Sequence, residues 1–322
     1  MKHISIIVPE GDSSLSNLEA TFKMFHMAND QFVQMGKSIR FEVHLVGISQ
    51  QTKVSNGLFR VTPTKTIHEI TQTDLIIIPA IHGDTDQILK SNAAFIPWMI
   101  SHYHQGAELA SLCIGAFLLA KTGLLNGKQC ATHWLMATKF REMYPEVTLV
   151  DDKIMTDHQG LYTSGGAYSS LNLNLYLIEK YAGRSMSILH SKIFQIDINR
   201  QSQSPFIIFQ GQKNHQDKEV LYVQEYLETN FAQKLTVDQL AEIAATSRRS
   251  FERRFKQATK NTALEYIQRI RIEAAKRNFE TNDQNVSEVM FAVGYSDPKT
   301  FRSVFKRITG LTPIEYRNRY HS

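Results

Sequence analysis

Over roughly its first two hundred residues the chain alternates short apolar runs with longer segments whose apolar residues return every three to four positions. The runs Ile4 to Val8, Phe41 to Ile48, Leu75 to Ile78, Glu108 to Leu112 and Cys130 to Thr132 read as strands, with a further pair at Ile154 and Leu161 around the turn His158-Gln159-Gly160. The periodic segments Leu18 to Met35, Gln87 to His104, Gly115 to Thr122, Trp134 to Tyr144 and Tyr168 to Tyr181 read as helices. Strands separated by helices predict an α/β domain on a largely parallel, flavodoxin-like sheet. Ligands of such sheets bind beyond the carboxyl ends of the strands.

Toward the end of the chain the strand pattern disappears and one helical pattern occurs twice. The first copy is Leu240-Ala241, a turn through Ala244 and Thr246, then Ser247-Arg248-Arg249-Ser250-Phe251-Glu252-Arg253-Arg254-Phe255. The second is Val289-Met290, a turn through Gly294 and Tyr295, then Asp297-Pro298-Lys299-Thr300-Phe301-Arg302-Ser303-Val304-Phe305-Lys306-Arg307. A short apolar helix, a tight turn, a capping residue and a second helix mixing aromatics with basic side chains make a helix-turn-helix. Thr236 and Gln239 are spaced as a capping box, Ser247 and Asp297 stand where N-caps belong, and Pro298 takes the first helical position. Phe251 with Phe255, and Phe301 with Phe305, share a helix face and are expected to anchor each second helix in its own core. Between the motifs, Ala263 to Phe279 reads as a helix with Leu264, Ile267, Ile270, Ala274 and Ala275 inward. Two heads held by such a helix can enter successive major grooves, about 34 Å apart.

From Val220 to Tyr320, including the tail Ile308-Thr309-Gly310-Leu311-Thr312-Pro313-Ile314-Glu315-Tyr316-Arg317, the chain resembles the AraC/XylS family of transcriptional regulators. Met290 departs from the resemblance, since the family usually has alanine there, and implies altered packing. The resemblance implies base-reading roles for Arg249, Glu252 and Arg253 in the first motif and for Lys299, Thr300, Arg302 and Ser303 in the second. Arginine can pair bidentately with guanine and glutamate can accept from cytosine. Arg248, Arg254, Lys256, Lys306 and Arg307 are assigned to phosphates, which position a protein without specifying sequence. The bland alternative for any one of these residues is a solvated helix face.

Charge supports the division. The chain of 322 residues has a formal net charge of +5, and residues 213–322 hold 19 Lys and Arg against 14 Asp and Glu, leaving 17 against 17 upstream. The basic excess therefore lies on the part with the motifs, as binding to nucleic acid requires. The N-terminal apolar run is too short for a signal peptide and no segment approaches the ~20 apolar residues of a membrane span. With only Cys113 and Cys130, no disulfide framework is expected and a reducing cytoplasm is the expected location.

One strand end carries candidate chemistry. Glu108 to Leu112 runs through Cys113 into Ile114-Gly115-Ala116-Phe117, the form of a nucleophile elbow, where a helix N-terminus is expected to lower the thiol pKa. With Thr122-Gly123-Leu124-Leu125-Asn126-Gly127 and Ala131-Thr132-His133-Trp134, this stretch resembles the PfpI-like branch of the class I glutamine amidotransferase superfamily. Together with the C-terminal motifs it resembles GlxA-type regulators over nearly the whole chain. Where related hydrolases have a histidine after the nucleophile this chain has Ile114, its oxyanion turn is replaced by Pro79-Ala80-Ile81-His82-Gly83, and Asn172 follows Ser164-Gly165-Gly166-Ala167 where relatives often carry an aspartate. No catalytic residue is therefore assigned. The favoured reading is a ligand pocket built from Cys113, Ile114, His133, Trp134, Ile81, His82 and Gly83, with Glu19 as the carboxylate some superfamily members hold against the cysteine. The alternatives are a cysteine-dependent hydrolase or hydratase with Cys113 as nucleophile, a thiol redox sensor, and a buried relic. His102 and His104 read as a solvated helix end rather than a metal site, and no cofactor is expected.

These readings predict a PfpI-like sensor and dimerisation domain over residues 1–197, a connector over 198–216 and a DNA-binding domain with two helix-turn-helix motifs over 217–322. In the connector the apolar patch Phe206-Ile207-Ile208-Phe209 is expected to dock on one domain, and Arg200-Gln201-Ser202-Gln203-Ser204-Pro205 departs from the Arg-Pro-Gly-Gly-like stretch of related regulators. Expected partners are double-stranded operator DNA, a small-molecule effector and a second copy of the chain, with RNA polymerase a further candidate and no membrane. The resemblance implies an activator, often of genes that handle amines, amino acids or related nitrogen compounds.

Overall fold

The structure, a computed structural model, describes every residue except Asn56, Ala167, Arg200, Gln201 and Ser322. Ala167 after the Ser164-Gly165-Gly166 stretch, and Arg200 and Gln201 of the connector, thus lie outside the described residues. The chain divides into two compact units, Met1–Gln203 and Ser204–Ser322.

The first unit runs through β1 (Lys2–Val8), α1 (Leu15–Gln34), β2 (Phe41–Gly47), the hairpin of β3 (Thr52–Val54) and β4 (Phe59–Val61), β5 (Lys65–Thr66), β6 (Leu75–Ile78), α2 (Thr85–Ser91) and α3 (Phe95–His104). It continues with β7 (Glu108–Ser111), α4 (Ala116–Lys121), β8 (Gln129–Cys130), α5 (Ala137–Met143), β9 (Thr148–Leu149), β10 (Met155–His158), β11 (Leu161–Ser164), α6 (Ser170–Ala182) and α7 (Arg184–Ile193). Seven strands form one sheet in the order β10-β11-β7-β6-β1-β2-β5. Every pairing in it is parallel except β10 with β11. The side-chain period of two distributes β1 between two cores: Ile4, Ile6 and Val8 pack with Leu18 and Phe25 of α1 and Leu173 and Leu177 of α6, while Ile7 packs with Phe95, Phe117 and Phe140 on the other face. Helices cover both faces, as an apolar parallel sheet requires.

Several expectations need correction. The helix expected over Gln87 to His104 is two helices, because the buried Asn92 turns its side chain to the backbone of Glu10, accepting at 2.8 Å and donating at 2.9 Å. Pro97, in the first turn of α3, also lacks the N–H that an unbroken helix would need there. The strand at Cys130 belongs to a separate two-stranded sheet with β9. His102 is only 5% exposed, lies edge-on to Trp98, and its pKa is lowered by burial, so it is no solvated helix end. Among the described residues no cluster of His, Cys, Asp or Glu could hold a metal ion, and no helix is long and apolar enough to cross a membrane.

The second unit is helical: α8 (Lys218–Asn230), α9 (Val237–Ile243), α10 (Arg248–Thr259), α11 (Ala263–Thr281), α12 (Val286–Ala292), α13 (Pro298–Thr309) and α14 (Pro313–Tyr320). The capping box at Thr236 and the N-caps at Ser247 and Asp297 form as their sequence dictates. Phe251 and Phe255 pack with Val223, Leu227 and Leu240, while Phe301 and Phe305 pack with Met290, Phe279 and Tyr316. α11 supplies Tyr266 and Ile267 to the first core and Ile272, Ala275 and Phe279 to the second, so one helix ties the two halves together. Leu264, expected inward on it, is 60% exposed; the inward face is carried instead by Ala263, Tyr266 and Ile267.

Candidate nucleic-acid interface and effector pocket

Each helix-turn-helix turns on one residue of positive φ, Ala245 at 47° and Gly294 at 84°. A Cβ on Gly294 would stand 2.4 Å from the Ala232 carbonyl oxygen, so both space and conformation call for glycine. The turns close alike, with Thr246 N donating to Ala241 O and Tyr295 N to Met290 O, both at 3.0 Å. Beyond them the apolar faces of α10 and α13 are buried and Arg249, Glu252, Arg253 and Lys256 on α10, and Lys299, Thr300, Arg302, Ser303, Lys306 and Arg307 on α13, are exposed. Arg249, Arg253, Lys256, Lys299, Arg302 and Lys306 make no ion pair among the described residues, which leaves them available to a polyanion.

Five of the expected interface residues are already engaged. Arg248 pairs with Asp238 at 3.1 Å and Glu252 at 3.5 Å, so the glutamate expected to read a base shares its charge with a neighbour. Thr300 donates its hydroxyl to the N-cap Asp297 at 2.6 Å. Arg307 donates to Gln268 at 2.5 Å. Arg254 differs most: it is half-buried and bound to Asp217 and Glu219, each at 2.6 Å, which raises its pKa further and commits it to the first turn of α8. A phosphate there would have to share the guanidinium with two carboxylates.

Two residues that sequence reasoning missed hold this unit in shape. Arg271 donates to the carbonyls of Phe231 at 2.7 Å, Gln233 at 2.8 Å and Gly294 at 2.9 Å, tying the end of α8 to the second turn. Lys276, buried with Glu273 at 2.9 Å, donates to Ile207 O at 2.6 Å while Glu273 accepts from Phe209 N at 3.1 Å. The apolar patch of the connector therefore docks on α11. A buried ion pair leaves no pattern in a sequence, and Arg271 stands among basic residues that look like surface.

In the first unit Cys113 follows β7 with φ 55°, the strained turn of an elbow, and a single 3-10 turn leads into α4. A Cβ on Gly115 would lie 2.5 Å from Pro79 O and 2.7 Å from Ile78 O, so this glycine lets the elbow close against the end of β6. The thiol does not have the expected lowered pKa. Burial pushes it up to about 12 against a small opposing hydrogen bond from Ile114, and Cys113 is 3% exposed. His133 accepts from Leu135 N at 3.2 Å, and its pKa is lowered, first by burial and then by His82 nearby. Glu19 is exposed on α1 and pairs with Lys23 at 3.8 Å rather than with the cysteine.

Next to the elbow is a cavity of about 160 Å³ whose walls include Ile81, His82, Gly83 and Ile114 of the expected set, together with Thr85, Ile88, Leu89, Phe117, Leu118 and Met136. Cys113, His133, Trp134 and Glu19 are not among its lining residues. The sequence signal for the additional walls is the apolar face of α2 and α4, read only as core. Gln203 was also missed. It is 1% exposed and donates to Thr132 O at 3.0 Å and Lys153 O at 3.1 Å, while the Thr132 hydroxyl donates to Cys113 O at 3.0 Å. The chain leaving the first unit is thus pinned two hydrogen bonds from the elbow.

Residues 13–180 match the DJ-1/PfpI family and residues 240–319 match a helix-turn-helix domain. Among curated proteins the chain is 23% identical over 309 residues to the HTH-type transcriptional regulator GbdR of Pseudomonas aeruginosa, covering 94% of this chain and 81% of that one. It is 26% identical over 220 residues to the HTH-type transcriptional regulator GlxA of Rhizobium meliloti, covering 66% of each. A crystal structure of an AraC family transcriptional regulator from Pseudomonas putida matches 60% of this chain and 100% of its own with a TM-score of 0.51 at 14% identity. At that identity the likeness shows the fold alone.

Proposed function

We propose that in this chain, which belongs to the DJ-1/PfpI family and is a DNA-binding transcriptional regulator of AraC type, the DJ-1/PfpI domain senses a small-molecule effector and does not catalyse a reaction. The observation that carries the reading is the pairing of a cavity of about 160 Å³ at the strand ends with a thiol whose pKa is pushed up to about 12. A thiol that weakly acidic holds almost no thiolate at neutral pH, and the thiolate is the nucleophile. No base is hydrogen-bonded to Cys113 Sγ among the described residues, since His133 caps a turn instead. The same chemistry disfavours the hydrolase and the redox-sensor readings.

In this proposal residues 1–197 bind the effector and dimerise, residues 198–216 connect, and residues 217–322 read the operator. Arg249, Glu252, Arg253, Lys299, Thr300, Arg302 and Ser303 face bases, while Arg248, Lys256, Lys306 and Arg307 face phosphates; Arg254 serves chiefly as a structural tie to α8. Ile81, His82, Gly83 and Ile114 contact the effector, and the route from the pocket to the connector passes through Thr132 and Gln203. Two free buried cysteines and a DNA target fit a reducing cytoplasm. Effector binding shifts operator affinity only by its differential affinity for two arrangements, typically ~1–3 kcal/mol.

The test is selection of bound duplexes from a random pool by the full chain, with and without a metabolite library. The expected result is a site with two submotifs one helical turn apart, about 34 Å, and a subset of metabolites that change its occupancy. Binding without sequence preference at low salt overturns the DNA-reading assignment, and a site indifferent to every metabolite overturns the sensor.

A further inference from the structure

We propose that the effector is a small uncharged molecule, mostly apolar and about the size of one substituted ring, that sits in the cavity beside the elbow with a single hydroxyl or carbonyl toward Thr85 and His82. The inference rests on the sensor reading above and concerns the chemistry of the same pocket.

Three observations carry it. The first is size: the cavity measures about 160 Å³, and a cavity of about 150 Å³ walled by aliphatic and aromatic side chains stays dry and takes up benzene. The second is composition. Ile81, Leu89, Phe117 and Leu118 are each no more than 7% exposed, Ile114 and Met136 are partly buried, and no Asp, Glu, Lys or Arg lines the space. An ammonium or carboxylate group entering it would lose its hydration with no ion to replace it, which costs far more than burial of the apolar remainder returns. The resemblance to regulators of amine and amino-acid genes implies charged effectors, and these walls do not suit them. The third is the placement of the polar groups. Among the lining residues, Thr85, 6% exposed, and His82 carry the two polar side chains, so a hydroxyl or carbonyl on the ligand has these two groups to meet. His82 is exposed at the rim, and the pKa of His133 close to it is lowered, first by burial and then by His82, while no carboxylate, lysine or arginine is among the lining residues.

The test uses three probes of one shape and different charge. Benzyl alcohol, benzylamine (a cation at neutral pH) and sodium benzoate are titrated into the full-length protein at pH 7 by isothermal titration calorimetry. Benzyl alcohol is expected to bind at least 10-fold more tightly than either charged analogue. Ile114→Trp, which enlarges a wall residue into the space, should abolish that binding, and Thr85→Val, which keeps the shape and removes the hydroxyl, should weaken it 3- to 10-fold with an unchanged thermal midpoint. If Ile114→Trp fails to fold, Thr85→Val carries the test alone. Benzylamine or benzoate binding as tightly as the alcohol, in an Ile114- or Thr85-dependent manner, overturns the uncharged class and keeps the pocket as the sensor. A charged metabolite whose binding depends on the same residues while the benzyl series is silent does the same. Binding of no compound, or binding indifferent to both substitutions, overturns the pocket itself.

Discussion

Replacing Arg271 with alanine removes a side chain that joins the end of α8, the following loop and the second helix-turn-helix turn. Its guanidinium donates to Phe231 O, Gln233 O and Gly294 O and lies 5.3 Å from the centre of the Tyr295 ring. Burial lowers its pKa, yet an arginine stays charged throughout the accessible range. A hydrogen bond from a charged donor is worth about 1.5–3 kcal/mol. The bonds to Phe231 and Gly294 are partly buried and count near that value; the bond to Gln233 is exposed, so water replaces most of it. The expected loss is therefore about 3–5 kcal/mol, a large share of the ~5–15 kcal/mol that a domain has. Both tryptophans, Trp98 and Trp134, are in the first unit. Urea unfolding followed by tryptophan fluorescence then reports that unit, while the helical signal at 222 nm includes the second. With a slope of about 2 kcal/mol per M, the second-unit transition of Arg271→Ala should fall by about 1.5–2.5 M and the fluorescence transition should not move. Arg271→Lys, able to reach one carbonyl, should fall between. A helical midpoint within about 0.3 M of the wild type would refute the assignment, because the three bonds would then be exchanged for water at no cost.

Other outcomes separate the remaining claims. Arg253→Ala and Arg302→Ala should each weaken a matching operator by ~1–3 kcal/mol and relax preference at one base position, whereas Lys256→Ala or Lys306→Ala should weaken all sequences alike and reduce the salt slope by about 1 in electrophoretic or fluorescence binding assays. Gly115→Ala places a methyl group against two backbone carbonyls that cannot move aside, and should destabilise the first unit by ~1–3 kcal/mol, read as an earlier fluorescence transition. Burial holds the thiols of Cys113 and Cys130 up to about 12, above the ordinary thiol value near 8.5. Each binds its proton more tightly folded than unfolded, so its contribution is full below about pH 8.5 and is lost as pH rises toward 12. Urea midpoints should decline across that alkaline window, and native protein at pH 8 should resist iodoacetamide until unfolded; prompt alkylation of Cys113 in native protein would contradict its burial.

What could be read in the sequence was set by local chemistry. Caps at Thr236, Ser247 and Asp297, aromatic pairs four apart and runs such as Leu75 to Ile78 act over a few residues, and each formed within a residue or so of its expected limits. Failures came where a distant partner decides. Asn92 breaks a helix because Glu10, 82 residues away, offers it a backbone. Leu264 has the periodicity of an inward position, but Ala263 and Ile267 meet the first core and leave it outside. Arg271, the Glu273–Lys276 pair and Gln203 all have polar side chains that sequence assigns to the surface, and their distant partners are backbone carbonyls and, for Glu273, a backbone N–H, groups that nearly every residue carries and no composition reveals. At the pocket, Ile114 was legible because it follows the elbow in sequence and the Pro79–Gly83 turn because the resemblance sets it in the place of an oxyanion turn; Thr85, Phe117 and Met136 were not, because only the fold brings α2, α4 and the segment before α5 to one cavity.

The cysteine shows how magnitudes decide between two sound local arguments. A thiol at a helix N-terminus gains about 0.3–1 kcal/mol for its ionised form, and up to ~2 kcal/mol in a favourable partly buried geometry. Here the helix is weak at its start, since α4 has six residues and follows a 3-10 turn. Against it stands loss of hydration: a thiol raised from 9.0 to about 12 has its ionised form disfavoured by roughly 4 kcal/mol, at 1.36 kcal/mol for each pKa step. Burial therefore outweighs the helix end severalfold, and the direction of the shift follows from exposure rather than from the motif. Residues from distant segments also hold the backbone around the thiol. Ile114 occupies the position after the elbow, the Thr132 hydroxyl donates to the Cys113 carbonyl, and Gln203 donates to the Thr132 carbonyl. A buried elbow of this kind keeps its left-handed backbone and its neighbouring cavity while its thiol holds little thiolate at neutral pH, which is the condition that the proposed sensor requires.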